Sequence, residues 1–168
     1  LPNGQLDLTF NPPSGANGAN GAVNAIATDG TSIWLAGAFT TYRGGVANRV
    51  AKISLSGVLD TTFSPSSGGN GVNATVNALA LDGGVLYIGG TFATYRGATA
   101  TRIAKVNAAT GVLDTVFNPA SGGNGVNNTV FALLADASGV WIGGQFTTYR
   151  GAAANRLARV SLTGVLDT

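Results

Sequence analysis

A chain of 168 residues with 45% apolar and 10% charged content has the material for a packed core and is not a disordered polypeptide. It contains no Cys, His, Met or Glu, which excludes a disulfide framework and thiolate metal sites and removes the usual proton carriers of acid–base catalysis. The net charge of +2 is too weak, and its nine bases too evenly spread, for a nucleic-acid-binding surface.

No stretch approaches the length of an apolar membrane span or reads as a signal peptide, so membrane insertion is not expected. The first residue is Leu1 rather than methionine, which reads as a processed or cut chain, or as a window on a longer one. The 26 glycines, together with abundant Asn, Thr and Val, favour turns and strands over helix, and the expected class is all-β.

Sliding the sequence against itself reveals a repeat, offset by 53 and then 54 residues. Repeat 1 covers 7–59, repeat 2 covers 60–113, repeat 3 covers 114–166, and 167–168 begin a further unit. Each opens on L-D-x-x-F, with Asp7, Asp60, Asp114 and Asp167 in register and Phe10, Phe63 and Phe117 three residues after the first three aspartates.

A loop of the form SGGNGVN follows, whose Asn-Gly pairs suit left-handed turns and whose lack of carboxylates argues against calcium. Asn73-Ala74-Thr75 and Asn127-Asn128-Thr129 match the glycosylation sequon, but repeat 1 lacks it. The first strand comes next, 76–81 in repeat 2, and ends at a turn carrying Asp29, Asp82 or Asp136. The second predicted strand, 85–95, has two apolar faces. In repeat 1, Ile33, Leu35, Gly37 and Phe39 alternate with Trp34, Ala36 and Ala38, as expected of a sheet covered on both sides.

That strand runs into Thr-Tyr-Arg-Gly, which recurs at 41–44, 94–97 and 148–151. The copies differ most just afterwards, in GVAN (45–48), ATAT (98–101) and AAAN (152–155), so these loops are where copy-specific contacts are expected. Predicted strands at 102–107 and 111–117 complete a four-stranded antiparallel unit. A period near 50 with four strands per unit indicates β-propeller blades.

The succession GVLDTTFSP, VNALALDGGVLYIGGTF and RIAKVNAATGVLD resembles the delta-60 repeat family of β-propellers, kelch-like repeats of bacterial secreted and surface proteins. The resemblance covers all three copies, with Ala36 replacing the first glycine of the doublet in repeat 1. It implies the propeller fold and an extracellular or cell-surface setting, and carries no catalytic activity with it.

Every charge falls on a repeated position: two aspartate sets, and the base sets Arg43, Arg96, Arg150; Arg49, Arg102, Arg156; and Lys52, Lys105, Arg159. No charge is left for a unique catalytic site, so no enzyme, metal or cofactor is expected. Asp7, Asp60 and Asp114 sit among apolar neighbours, and each is expected to pair with an arginine of the Arg43 or Arg49 set in a structural tie. Thr-Tyr-Arg-Gly is expected to lay each arginine over an aromatic face and to turn on its glycine; the alternative is that Tyr42, Tyr95 and Tyr149 face a ligand at a rim, with glycans as the partner.

Three blades do not close a ring. Further blades, or copies of the same chain, are the expected partners, and the strand at 6–10 should pair outside its own repeat or complete a neighbouring blade. The functional expectation is a non-enzymatic scaffold for adhesion or for fibre or surface-layer assembly, with a multivalent lectin as the alternative.

Overall fold

The computed structural model describes residues 4–12, 15, 17–65, 70–121 and 123–168. Positions 67–69 and 122 of the SGGNGVN loops lie outside the described residues. Each repeat forms one antiparallel sheet of three strands and one small hairpin.

Repeat 1 has β1 (Val23–Thr28), β2 (Ser32–Gly37), the hairpin β3 (Thr41–Tyr42) and β4 (Gly45–Val46), and β5 (Val50–Ser54), with sheet order β1-β2-β5. Repeat 2 has β6 (Val76–Asp82), β7 (Val85–Gly90), the hairpin β8 (Thr94–Tyr95) and β9 (Ala98–Thr99), and β10 (Ile103–Asn107), ordered β6-β7-β10. Repeat 3 has β11 (Val130–Asp136), β12 (Gly139–Gly144), the hairpin β13 (Thr148–Tyr149) and β14 (Ala152–Ala153), and β15 (Leu157–Val160), ordered β11-β12-β15. There is no helix among the described residues, as expected for the all-β class.

Two expected strands differ in form. The run predicted as one strand over 85–95 breaks after Gly90. The ladder slips between Val76 and Ala78, and Thr91 then donates its backbone N–H to Thr75 O at 2.9 Å. A Cβ at Gly90 would overlap that carbonyl, and the same holds at Gly37 against Ala22 O and at Gly144 against Thr129 O. Only glycine lets the two backbones meet there, and the chain leaves the sheet at that point.

The fourth strand predicted at 111–117 shrinks to a single bridge, Val106–Leu113, with counterparts Ile53–Leu59 and Val160–Leu166. The carboxylate that follows ends it. Asp60 Oδ1 accepts the N–H groups of Thr62 and Phe63, and Asp60 O accepts Ser64 N at 2.9 Å, so L-D-x-x-F folds into a turn. Side-chain capture of backbone donors outcompetes the ladder.

The sheets stack through apolar faces. Trp34, Ala36 and Val50 of repeat 1 share one core with Phe63, Leu86, Ile88 and Val106 of repeat 2. Ala80, Tyr87 and Ile103 of repeat 2 share the next with Phe117, Val140, Ile142 and Val160 of repeat 3. The Trp34 indole donates to Ala108 O of the following blade at 3.1 Å, and Phe117 meets Tyr87 edge-on with centroids 5.6 Å apart. A Cβ on Gly89 would strike the Val130 and Leu133 side chains, so the first glycine of the doublet sets how near the next blade comes.

Candidate functional site

The aspartates of L-D-x-x-F pair with the third set of bases, not with the arginines expected. Lys52 Nζ lies 2.9 Å from Asp60 Oδ2, Lys105 Nζ lies 2.8 Å from Asp114 Oδ2, and Arg159 contacts Asp167. The register explains the correction: Asp60 N donates to Lys52 O at 2.8 Å and Asp114 N to Lys105 O at 2.8 Å, which places acid and base side by side across the outer edge. Asp7 turns its Oδ1 to the Thr9 and Phe10 N–H groups and has no cation partner among the described residues.

Each of these cations also lies over an aromatic ring: Lys52 on Trp34 at 5.7 Å, Lys105 on Phe117 at 6.0 Å and Arg159 on Trp141 at 5.5 Å. The Asp60 and Asp114 carboxyls feel partial burial, which pushes their pKa up. The hydrogen bonds from Lys52 or Lys105 and from two backbone N–H groups outweigh it, leaving both below the ordinary value. A carboxyl whose pKa is lowered on folding stabilises the fold above its unfolded pKa and loses that contribution as the pH falls through the folded value. The urea midpoint is therefore expected to be flat between neutrality and about pH 5 and to fall below about pH 4. Lys52→Met should flatten part of that fall, by about 0.5 kcal/mol for a partly buried pair that solvent still reaches. A midpoint still level in strong acid would contradict it.

The arginines hold backbone carbonyls. Arg43, Arg96 and Arg150 each donate through Nη2 to Phe10 O, Phe63 O and Phe117 O, fastening the L-D-x-x-F turn to the hairpin. Each lies over the tyrosine before it, at 5.8, 5.4 and 5.4 Å. Arg49 Nη1 donates to Val72 O at 2.9 Å and Arg102 Nη1 to Val126 O at 3.1 Å, so these are ties from one blade to the next. Arg156 repeats the position with no acceptor among the described residues.

The six arginines of these two sets all have positive φ, between 47° and 67°. Left-handed backbone costs a non-glycine residue about 1–2 kcal/mol, which the side-chain bond offsets in the five arginines that make one. This yields a paired expectation: Arg102→Ala loses the bond and keeps the strain, costing about 2 kcal/mol, whereas Arg102→Gly sheds the strain and costs about 1 kcal/mol. Urea titration of the two variants checks the order.

Tyr42, Tyr95 and Tyr149, expected to face a ligand, are buried. Tyr95 and Tyr149 donate to Gly111 O at 2.7 Å and Gly164 O at 3.0 Å, and burial raises both phenols to about 12. The hairpin bends the ring inward because Ala19, Val72 and Val126 bridge to these tyrosines from the loop side. What the hairpins do present is their tips: 98–99 and 152–153 are exposed, and so is Val46.

The turn aspartates hold their turns as expected. Asp29 Oδ1 accepts Thr31 N and Ser32 N at 2.8 and 2.7 Å, and Asp136 Oδ1 accepts Ser138 N at 2.7 Å. Asp82 precedes Gly83 and Gly84, both at positive φ.

A set of asparagines was not anticipated as a set of ties. Asn20, Asn73 and Asn127 accept two backbone N–H groups each, from 40–41, 93–94 and 147–148. Asn24 and Asn77 donate to Val76 O and Val130 O of the next blade, both at 2.8 Å. Their recurrence was the available signal; amide side chains carry no charge to draw the eye.

A polar cavity of about 320 Å³ lies between the first two blades, lined by Asn48, Arg49, Asn70, Asn73, Thr94 and Arg96 among others. Among the described residues no three His, Cys, Asp or Glu side chains converge.

Solved structures give weak likenesses. The extracellular domain of the B. thetaiotaomicron protein BT4673, described as a one component system in one crystal structure and as a hybrid two component system in another, aligns over 96% of this chain at 15% identity and TM-score 0.49. The chain spans only 17% of that structure's length. The computationally designed Ika8 protein aligns over 88% of this chain and 48% of its own at 14% identity and TM-score 0.46. No curated protein matches by sequence.

One family profile matches three times, at 32–63, 84–117 and 140–168, once in each repeat and over more than half of the chain. Three like sheets stacked through apolar faces agree with it, and the chain belongs to the family described as the domain of unknown function (DUF5122) beta-propeller.

Proposed function

We propose that this chain is a non-enzymatic repeat scaffold of the delta-60 kind, working outside a bacterial cell in adhesion or in fibre or surface-layer assembly, its ring completed by further blades or another copy. The observation that supports this is the use made of its charges. Eight of the nine bases hold turns, neighbouring blades or aspartates, and the turn aspartates Asp29 and Asp136 hold backbone N–H groups. Catalysis needs groups of shifted affinity for protons gathered at one place, and the recurring ties supply none. A chain free of Cys and Met also withstands oxidation outside the cell.

A second reading, a multivalent lectin, is favoured by the polar cavity between blades, whose amides and Arg49 could take sugar hydroxyls. Beads coated with the protein separate the two. The scaffold reading expects them to adhere to one another or to bacterial cells without inhibition by free saccharides and without signal on a glycan array. Adhesion abolished by a sugar would replace it with the lectin.

A further inference from the structure

The junction between the first two blades holds polar groups that the repeat elsewhere spends. Gly71, at φ 73°, lets the loop of repeat 2 close on repeat 1, since a Cβ there would overlap Asn48 O. Val72 donates its N–H to that same carbonyl at 3.2 Å, and Asn70 Nδ2 donates to Val46 O at 2.9 Å. The loop is thereby fixed against GVAN, part of the stretch in which the copies differ most, and the polar cavity of about 320 Å³ lies along this seam.

Two substitutions free amides there. Asn20 and Asn127 spend their Nδ2 groups on the hydroxyls of Thr40 and Thr147, both at 2.9 Å. Repeat 2 has Ala93 in place of those threonines, which leaves Asn73 Nδ2 without an acceptor among the described residues. Asn48 is half-buried and its side chain has no partner among the described residues, while the second junction has Thr101 in its place. Both asparagines line the cavity, and Thr94 adds a hydroxyl.

Arg49 completes the set. Val72 O holds its Nη1 at 2.9 Å, which fixes the guanidinium and leaves the Nε–Nη2 edge open, with no acceptor among the described residues. Such an edge presents two parallel N–H donors, the fork that matches a carboxylate. Arg96, whose terminal nitrogens donate to Phe63 O and Thr110 O, lines the cavity as a second positive charge.

No carboxylate answers these two charges. Asp60 is paired with Lys52, and Asp29 and Asp82 lie at turns that close the far ends of β1 and β6. A strand of that length rises about 20 Å, well beyond the Debye length at physiological salt. The lining also has no aromatic ring, so a neutral sugar finds no face to stack on and the uncompensated charge is what a ligand gains from.

We propose that this cavity is a carboxylate-binding site, in which the Nε–Nη2 fork of Arg49 takes the anion and Asn48, Asn73 and Thr94 take the polar groups beside it. The ligand class is a small acid bearing hydroxyls or an amide, of which a uronic acid and an acylated acidic amino acid are two sources. The volume lies at the low end for ligand pockets and suits one such unit. The site goes beyond both functional readings, since a scaffold and a lectin can each carry it.

Nitrogen-15 NMR of the folded chain, titrated separately with D-glucuronate, N-acetylglutamate and D-glucose, tests it through the Arg49 Nε–H and the Asn48 and Asn73 side-chain amide signals. At least one acid should shift all three signals, with a dissociation constant on the order of 1 mM that weakens as salt is raised. The acid that binds names the source. Glucose should bind roughly tenfold more weakly or not at all. Asn48→Asp alters a side chain that holds nothing in place and should lower affinity roughly tenfold or more, by setting a like charge against the ligand. Ala93→Thr gives Asn73 the hydroxyl its siblings have and should lower it about two- to threefold. Circular dichroism verifies that both variants fold. Signals unmoved by either acid, glucose binding as tightly as the acids, or an Asn48→Asp variant of undiminished affinity would each overturn the proposal. Adhesion blocked by a neutral saccharide would overturn the scaffold reading and leave this site standing, and a chain indifferent to both acids would do the reverse.

Discussion

Trp34→Ala is expected to destabilise the protein by about 4 kcal/mol, and Trp141→Ala, the same change at the same place in the repeat, by less than about 1 kcal/mol in the monomer. Trp34 is 2% exposed, packed between two blades, and its indole N–H is bonded to Ala108 O across that boundary. Its removal leaves a cavity in a close-packed interior and an acceptor without its donor. Trp141 has the same sheet behind it and solvent in front. Denaturant unfolding of both variants at low protein concentration gives the comparison, and equal losses would refute the stacking order.

Gly90→Ala is expected to cost about 3 kcal/mol, at the upper end of overpacking effects, because the obstacle to the new methyl is backbone. Thr75 O and the Val76 Cα are where the Cβ must go, and both are fixed by the Thr91 N–H bond and the β6–β7 ladder. Gly89→Ala meets the Val130 and Leu133 side chains instead, which rotate or shift at smaller cost, and should lose about 1 kcal/mol. Repeat 1 already carries out the milder change, since Ala36 occupies the equivalent of Gly89. Thermal melts of the two alanine variants, side by side, check the order; a Gly89 variant less stable than the Gly90 variant would show that the neighbouring blade, and not the local bulge, governs the doublet.

These two glycines show what could be read without coordinates and what could not. That the doublet matters is visible in its recurrence, and that two sheets close over β7 follows from its unbroken apolar run. Which glycine faces backbone and which faces the next blade depends on a slip in register, and such a slip leaves no trace in the order of residues.

The ion pairs teach the same lesson. The Asp60 set reads as a set of ties, but the choice among three equivalent bases per repeat was decided by a hairpin closing eight residues apart, which put Lys52 beside Asp60 and left Arg43 and Arg49 to carbonyls. The stacking of each arginine on the tyrosine before it agrees with the structural reading of Thr-Tyr-Arg-Gly, but such an end looks alike in sequence whether the ring turns out or in. The loop strand that bridges Tyr95 through Val72 turns it in.

From the sequence alone came the all-β class, the threefold repeat, the two-sided burial of the central strand and the reservation of charge for recurring positions. All of these follow from periodicity, which a linear chain displays directly. The tertiary structure decided pairing: which base meets which acid, which carbonyl an arginine holds against the strain of its own backbone, where the fourth strand gives way to a turn, and which face of repeat 3 lies bare. Such choices depend on angles and separations between segments distant in the chain, and many pairings compatible with the same periodicity differ only in those.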